Sequence, residues 1–168
     1  RHQAHYDLLT DLPNRFLFHE RMARVALESE RDKQHFGLLF IDLNNFKQVN
    51  DQFGHQAGDE LLKEAARRLL AAVRQSDTVA RLAGDEFTVI LRNVSDREAL
   101  GKLAQNVSER LAGDFIYQGQ SMVLWGSVGA ALYPDDGLDP EALLAVADHR
   151  MYQHKAGLAD ADEEGEAR

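Results

Sequence analysis

Two rhythms of apolar residues alternate along this chain. Pro13 suits the first turn of a helix, and Phe18, Met22, Val25 and Ala26 then recur at helical spacing, which predicts a helix ending near Arg31 to Gln34. FGLLFID, Phe36 to Asp42, is instead a nearly continuous apolar run of strand length, as expected for a strand buried on both faces. It stops on an acid. A short helix is expected around Phe46 to Phe53, then a longer one whose stripe is Leu61, Leu62, Ala65, Ala66, Leu69, Leu70 and Val73. DTVARL and EFTVILR flank Ala83 and Gly84 and read as a β-hairpin. Ser95 and Glu98 form a capping box ahead of a helix that buries Leu100, Leu103, Ala104, Val107 and Leu111. Phe115 to Tyr117 and Met122 to Tyr133, split by Gln118 to Ser121, form a second strand pair, and Asp139 and Pro140 open a last helix ending near Lys155.

The resulting order, α β α α β β α β β α, predicts an α/β sandwich with helices around a mixed or antiparallel central sheet. If the strand ending at Asp42 lies beside the hairpin, its terminal carboxylate meets Asp85 and Glu86 at one sheet edge. That edge is the candidate site.

Composition narrows the function without choosing it. A length of 168 residues, with 44% hydrophobic and 28% charged positions, fits one soluble globular domain. The formal net charge of -9 argues against a nucleic-acid binder, which needs a basic face to neutralise phosphates. Part of the excess lies in ADADEEGEAR, residues 159–168, which reads as a disordered acidic tail or linker. With no cysteines, disulfides and thiolate metal sites are excluded, a composition compatible with the cytoplasm. No apolar run approaches the roughly 18 residues needed to span a bilayer. Because the chain begins with Arg and ends in a charged stretch, it is expected to be a domain of a longer protein whose other parts could carry membrane or sensor segments.

Asp85 and Glu86 beside Gly84 have two readings, a solvated turn or a metal site. Mg²⁺ is a hard cation that takes one or two carboxylates together with substrate phosphates, and Asp42, Asp85 and Glu86 supply such oxygens. Two ions held in this way polarise a phosphoryl group and lower the pKa of an attacking hydroxyl. The seven histidines are scattered, and His149 and His154 stand too far round a helix to share a metal.

DLLTDLPNR (Asp7 to Arg15), IDLNNFKQVNDQFGHQAGDELL (Ile41 to Leu62), RLAGDEF and ADHRMYQHK (Ala147 to Lys155) together resemble the GGDEF family of diguanylate cyclases, in the right order and over most of the chain. The resemblance implies a GGDEF domain over residues 1–158 with a palm-like nucleotidyl-cyclase sandwich, its central sheet five-stranded and mostly antiparallel. It implies that two such domains face each other as a homodimer, each holding one GTP with Mg²⁺ or Mn²⁺, and condense the pair into cyclic di-GMP with release of pyrophosphate. An upstream sensor and a downstream phosphodiesterase domain are the expected neighbours in the full chain.

The same resemblance assigns roles residue by residue. Asp42 and Asp85 fall on metal-ligand positions, with the backbone carbonyl of Leu43 as a further ligand; Glu86 is either a second metal ligand or the group that helps deprotonate the ribose 3′-hydroxyl. Asn50 and Asp59 align with residues that read guanine, whose N1 and N2 donors suit a carboxylate and an amide; a helix C-cap for Asn50 and a first-turn position for Asp59 are the structural alternatives. Phe46, Lys47 and Gly84 lie where the family cradles the phosphates, and Lys155 matches a phosphate-contacting lysine. Arg74 and Asp77, in RQSD, stand where the family places its product-inhibition site. DLLTDLPNR is a structural joint to an upstream signalling helix.

The chain departs from the family at three places. Ala83 replaces the first Gly of the signature, which costs roughly 1–2 kcal/mol if that residue needs positive φ and is neutral or slightly stabilising if it does not. Leu158, Ala159 and Asp160 stand where the family continues toward Gly, Arg and Asn, so a phosphate-gripping Arg is lost. Asn44 stands where Asp is frequent. These departures keep two rivals to catalysis in view: a silent module that binds GTP or cyclic di-GMP and regulates a neighbouring phosphodiesterase domain, and a pure dimerisation scaffold.

Overall fold

The computed structural model describes residues 2–167, with side chains described for residues 4–158; the proposed tail at 159–168 lies outside the latter. The elements follow the chain as α1 (His2–His5), α2 (Arg15–Asp32), β1 (Phe36–Leu43), α3 (Phe46–Phe53), α4 (His55–Ala72), β2 (Thr78–Ala83), β3 (Glu86–Arg92), α5 (Arg97–Leu111), β4 (Gly113–Tyr117), β5 (Gln120–Leu124), β6 (Gly126–Tyr133) and α6 (Pro140–Ala167).

The β1 strand explains its own apolar run. It is paired antiparallel with β3 on one edge and with β6 on the other. Its alternate side chains feed two separate cores. Leu39, Ile41 and Leu43 pack with Leu61, Leu62, Ala65 and Leu69 of α4 and with Leu100, Val107 and Leu111 of α5. Phe36, Leu38 and Phe40 pack on the opposite side with Phe18, Met22 and Val25 of α2 and with Leu143, Ala147 and Met151 of α6. Each such side chain contributes about 2 kcal/mol on full burial, so a shift of one residue in register would exchange the two cores and is strongly disfavoured.

The main sheet has four strands in the order β2-β3-β1-β6, all neighbours antiparallel, rather than the expected five. The difference arises at Trp125. The run from Met122 to Tyr133 reads as one strand, yet the chain changes sheets at Trp125–Gly126: β5 pairs with β4 in a separate hairpin, and β6 enters the main sheet. Asn44 N–H donates to the Trp125 carbonyl (3.0 Å), which fixes the crossing point. Arg68 of α4 donates to the carbonyls of Leu111 at the end of α5 (2.9 Å) and of Asp114 in β4 (2.7 Å), which ties the start of the detached hairpin to both helices.

Two helix ends also differ from expectation. The cap of α5 is Asp96, whose carboxylate accepts from Ala99 N–H (2.8 Å), so Ser95 lies outside the helix and Glu98 sits in its first turn. The α6 helix opens at Pro140 as expected, with Asp139 accepting from Ala142 N–H (3.3 Å), but runs past Lys155 to Ala167.

The seating of α6 on β6 is close. A Cβ at Gly129 would lie 2.1 Å from the Ala147 carbonyl, so a larger residue there would push the helix off the sheet. Along the outer edge of β6, His154 Nδ1 accepts from Val128 N–H (3.0 Å) and Arg150 donates to the Ala130 carbonyl (2.8 Å). Asp136 accepts from Leu132 N–H (2.8 Å), from Arg150 (2.8 Å) and from Arg97 of α5 (3.0 Å).

Burial opposes ionisation of Asp136, but the hydrogen bonds from Arg150 and Arg97 outweigh it and hold its carboxyl far below the ordinary range. A lowered folded pKa adds stability above the unfolded value, near 4, and loses it as pH falls through that value toward the folded one. Asp136→Asn is therefore expected to destabilise the domain by about 2 kcal/mol near neutrality. In urea titrations the gap to the unsubstituted protein should hold from about pH 7 to about pH 5 and narrow as the pH falls below about 4.

Candidate active site at the sheet edge

The site is built by register. Asp42, next to last in β1, lies opposite Glu86 of β3 and opposite Ser127 of β6. The β2–β3 hairpin closes with Ala83 opposite Glu86, leaving Gly84 and Asp85 as the turn. Leu43 N–H donates to the Asp85 carbonyl (3.1 Å), which ties that turn to the end of β1. Three acids from separate segments are thereby carried to one edge.

The turn also decides what Ala83 costs. Gly84 holds the left-handed backbone, with φ of 41°, although a side chain there would meet nothing within 4 Å; conformation rather than space calls for glycine. Ala83 is a strand residue outside the left-handed region. Of the two alternatives for this substitution, the strain-free one holds.

Arg81 was not singled out by sequence reasoning, and it organises the turn from below. Its Nε donates to the Gly84 carbonyl (2.8 Å), its Nη1 to both oxygens of Asp7 (3.1 Å), and its backbone N–H to the Pro13 carbonyl (3.1 Å). The DLLTDLPNR segment is thus fastened to the signature hairpin. An Arg three residues before the Gly84 turn, in a chain with an Asp opening the DLLTDLPNR joint, was the available signal.

The electrostatics of the edge are those of crowded anions. Burial, and then the charge and hydrogen bond of Asp42, push the Asp85 carboxyl up to about 6. Glu86 is raised by burial first, then by Asp42 and Asp148, with Arg15 opposing. Lys155, reaching from α6, places Nζ 2.5 Å from Asp42 Oδ2. Among the described residues, no three His, Asp or Glu side chains are arranged to hold a metal ion. Asp42 and Asp85 make direct contact, while Glu86 is their neighbour in register. A carboxylate pair with the adjacent Leu43 carbonyl is nevertheless a donor set of the size Mg²⁺ uses when phosphates and water complete its shell, so these residues fit such an ion.

Beside this edge, α3 presents an open amino end. Its N-cap, Asn45, sits in the left-handed region with φ of 60° and makes no side-chain cap; its Nδ2 donates instead to the Val123 carbonyl (3.3 Å). Free N–H groups at a helix start suit an anion. Phe46 begins this helix, half-buried against the α4 core, and Lys47 is exposed next to it. Asn50 lies inside α3, whose C-cap is Gly54, so the capping alternative fails; its buried Oδ1 has no hydrogen-bond partner. Asp59 is exposed in α4 beyond the first turn, so the dipole alternative fails too.

The RQSD turn lies elsewhere on the surface, beyond the end of α4. Asp77 is 1% exposed, and its carboxylate accepts from Arg74 N–H (2.9 Å), Arg92 N–H (2.9 Å) and the Arg74 guanidinium (3.2 Å). Its oxygens are committed inside the protein, and Arg74 is the exposed member of the pair.

Residues 4–160 match the family model described as "Diguanylate cyclase, GGDEF domain". The chain belongs to the GGDEF family. Over 152 residues it is 39% identical to the diguanylate cyclase TpbB of Pseudomonas aeruginosa, covering 90% of this chain and 35% of that protein. The cyclic di-GMP phosphodiesterase NbdA of the same species is 38% identical over 156 residues, covering 93% of this chain and 20% of that protein. The chain therefore spans about a third or less of these relatives. A solved sensory box/GGDEF family protein from Caulobacter crescentus superposes with a TM-score of 0.87 at 42% identity, covering 91% of this chain and 99% of that one. The GGDEF membership and the palm-like fold expected from the sequence both hold. Among the described residues no helix is long and apolar enough to cross a membrane.

The raised Asp85 pKa carries a stability consequence. A carboxylate whose folded pKa exceeds its unfolded value destabilises the protein at pH above the folded value and does so no longer below the unfolded one. In a chelator-treated sample, Asp85→Asn is expected to raise stability by about 1 kcal/mol at pH 7.5, after allowance for solvent screening. Thermal melts should show that gain disappearing between pH of about 6 and about 4.

Proposed function

We propose that this GGDEF domain is a diguanylate cyclase, condensing two GTP molecules into cyclic di-GMP and two pyrophosphates when two copies face one another. The observation that carries the reading is the register that sets Asp42 opposite Glu86, with Leu43 N–H bonded to the Asp85 carbonyl (3.1 Å), so that three carboxylates share one sheet edge. Crowded carboxylates with raised pKa values are characteristic of functional sites and ask for a cation.

In this reading Asp42, Asp85 and the Leu43 carbonyl hold Mg²⁺ or Mn²⁺. When bound, such an ion supplies charge for the transferring phosphoryl group and acidifies the attacking hydroxyl. The chain does the positioning. The open start of α3, with Phe46 and Lys47, and the Gly84 turn receive the triphosphate. The unpaired Asn50 Oδ1 and the exposed Asp59 read guanine by hydrogen bonds that adenine cannot match. Glu86, its affinity for a proton raised, is placed to take the proton of the ribose 3′-hydroxyl or to share the metal. Attack of that oxygen on the α-phosphorus of the GTP in the partner copy forms one phosphodiester and expels pyrophosphate. The reciprocal attack closes the ring. At the RQSD turn, cyclic di-GMP is gripped by Arg74, with Asp77 orienting it.

The second reading, a silent nucleotide-binding module beside a phosphodiesterase domain, draws on Ala159 in place of the family's Arg and on the similarity to NbdA. Ala83 gives it little support, because its strand backbone carries no strain.

An enforced dimer supplied with GTP and Mg²⁺ or Mn²⁺ is expected to form cyclic di-GMP, and Asp85→Ala to lower the rate more than about 100-fold. Tight GTP binding by calorimetry with no product under either metal would select the silent module. Arg74→Ala is expected to weaken inhibition by added cyclic di-GMP at least about tenfold while leaving the initial rate unchanged.

A further inference from the structure

Lys155 is bound to the wrong partner for a residue expected to serve phosphates. Its ammonium lies 2.5 Å from Asp42 Oδ2, on a carboxylate whose side chain is 15% exposed and which already contacts Asp85. A half-buried acidic pair is stabilised by positive charge nearby, and in the free protein this lysine provides it.

The root of that side chain is fixed. One residue earlier, His154 accepts from Val128 N–H (3.0 Å), and one turn earlier Arg150 is bonded to the Ala130 carbonyl (2.8 Å) and to Asp136 (2.8 Å). The α6 backbone has no need to move. The side chain is 45% exposed and carries the ammonium on a flexible four-carbon stem, so the charge can leave Asp42 by rotation of its own torsions.

We propose that Lys155 is a stand-in cation that competes with the divalent ion for Asp42 in the free protein and moves to the triphosphate once the ion is bound. This deepens, and rests on, the GTP–metal reading above. An ammonium and a divalent ion cannot both occupy Asp42 Oδ2. Binding of the ion alone must therefore break an existing ion pair, whereas binding together with a triphosphate gives the displaced lysine a new anion. By linkage, nucleotide and ion each raise the other's affinity, and Lys155 is the element through which they do so.

The test is a Mn²⁺ titration, read by electron paramagnetic resonance or calorimetry, with and without a non-hydrolysable GTP analogue. Without nucleotide, Lys155→Met is expected to bind Mn²⁺ about tenfold more tightly than the unsubstituted protein, the size of one charge-assisted bond. With the analogue present, the nucleotide-induced gain in Mn²⁺ affinity should be smaller in Lys155→Met by a similar factor. Lys63→Met removes the same charge at a distance, from a lysine paired with Glu60 on α4, and should leave Mn²⁺ affinity unchanged. Equal nucleotide-free affinities for Lys155→Met and the unsubstituted protein overturn the proposal while leaving the metal reading intact. An equal rise in Lys63→Met also overturns it, because the effect would then be one of net charge. Absence of Mn²⁺ binding in every protein even with the analogue overturns the metal reading and the proposal together.

Discussion

The antiparallel register of β1 against β3 and β6 is the constraint from which the site follows. Because β1 is covered on both faces and paired on both edges, neither its position nor its phase can drift, and Asp42 is delivered opposite Glu86 every time the domain folds. The carboxylates themselves repel one another. What holds them together is the apolar length of strand behind them, where Leu39, Ile41 and Leu43 face one core and Phe36, Leu38 and Phe40 the other. Energy gained in the cores keeps an unfavourable charge arrangement at the rim, a division of labour usual where function demands strain.

That arrangement is relieved from two directions. Lys155 brings a cation from α6, and Arg81 arrests the turn by gripping the Gly84 carbonyl while bound to Asp7. Both arginine and lysine come from elements far from the signature in sequence or hidden within it. The local chemistry of the turn therefore depends on the packing of the first and last segments of the domain.

Much of this was legible before any coordinates. The β1 run, the α3 and α4 stripes and the turn at Gly84 were marked by periodicity and by residues with one structural use, and Asp42 was correctly brought to the hairpin. The sheet's strand count was not: Gly126 and Ser127 mark the change of sheet after Trp125, but a Gly-Ser step inside a mostly apolar run is equally compatible with one strand that continues through it. The α5 cap moved by one residue because Ser95 and Asp96 are both good caps, and it is Asp96 whose carboxylate accepts from Ala99 N–H. Asp77 illustrates a deeper limit. Sequence spacing placed it beside Arg74, but its commitment to the Arg92 and Arg74 backbone is a tertiary fact.

The outer side of β6 has a consequence for how copies of the chain can meet. A border strand ordinarily offers alternate amide and carbonyl groups to any passing strand. Here, at successive alternate positions, the Val128 N–H, the Ala130 carbonyl and the Leu132 N–H are taken by His154, Arg150 and Asp136. The sheet is closed to lengthening on that side by side chains rather than by another strand. A strand arriving on that side would have to displace these side chains before it could pair.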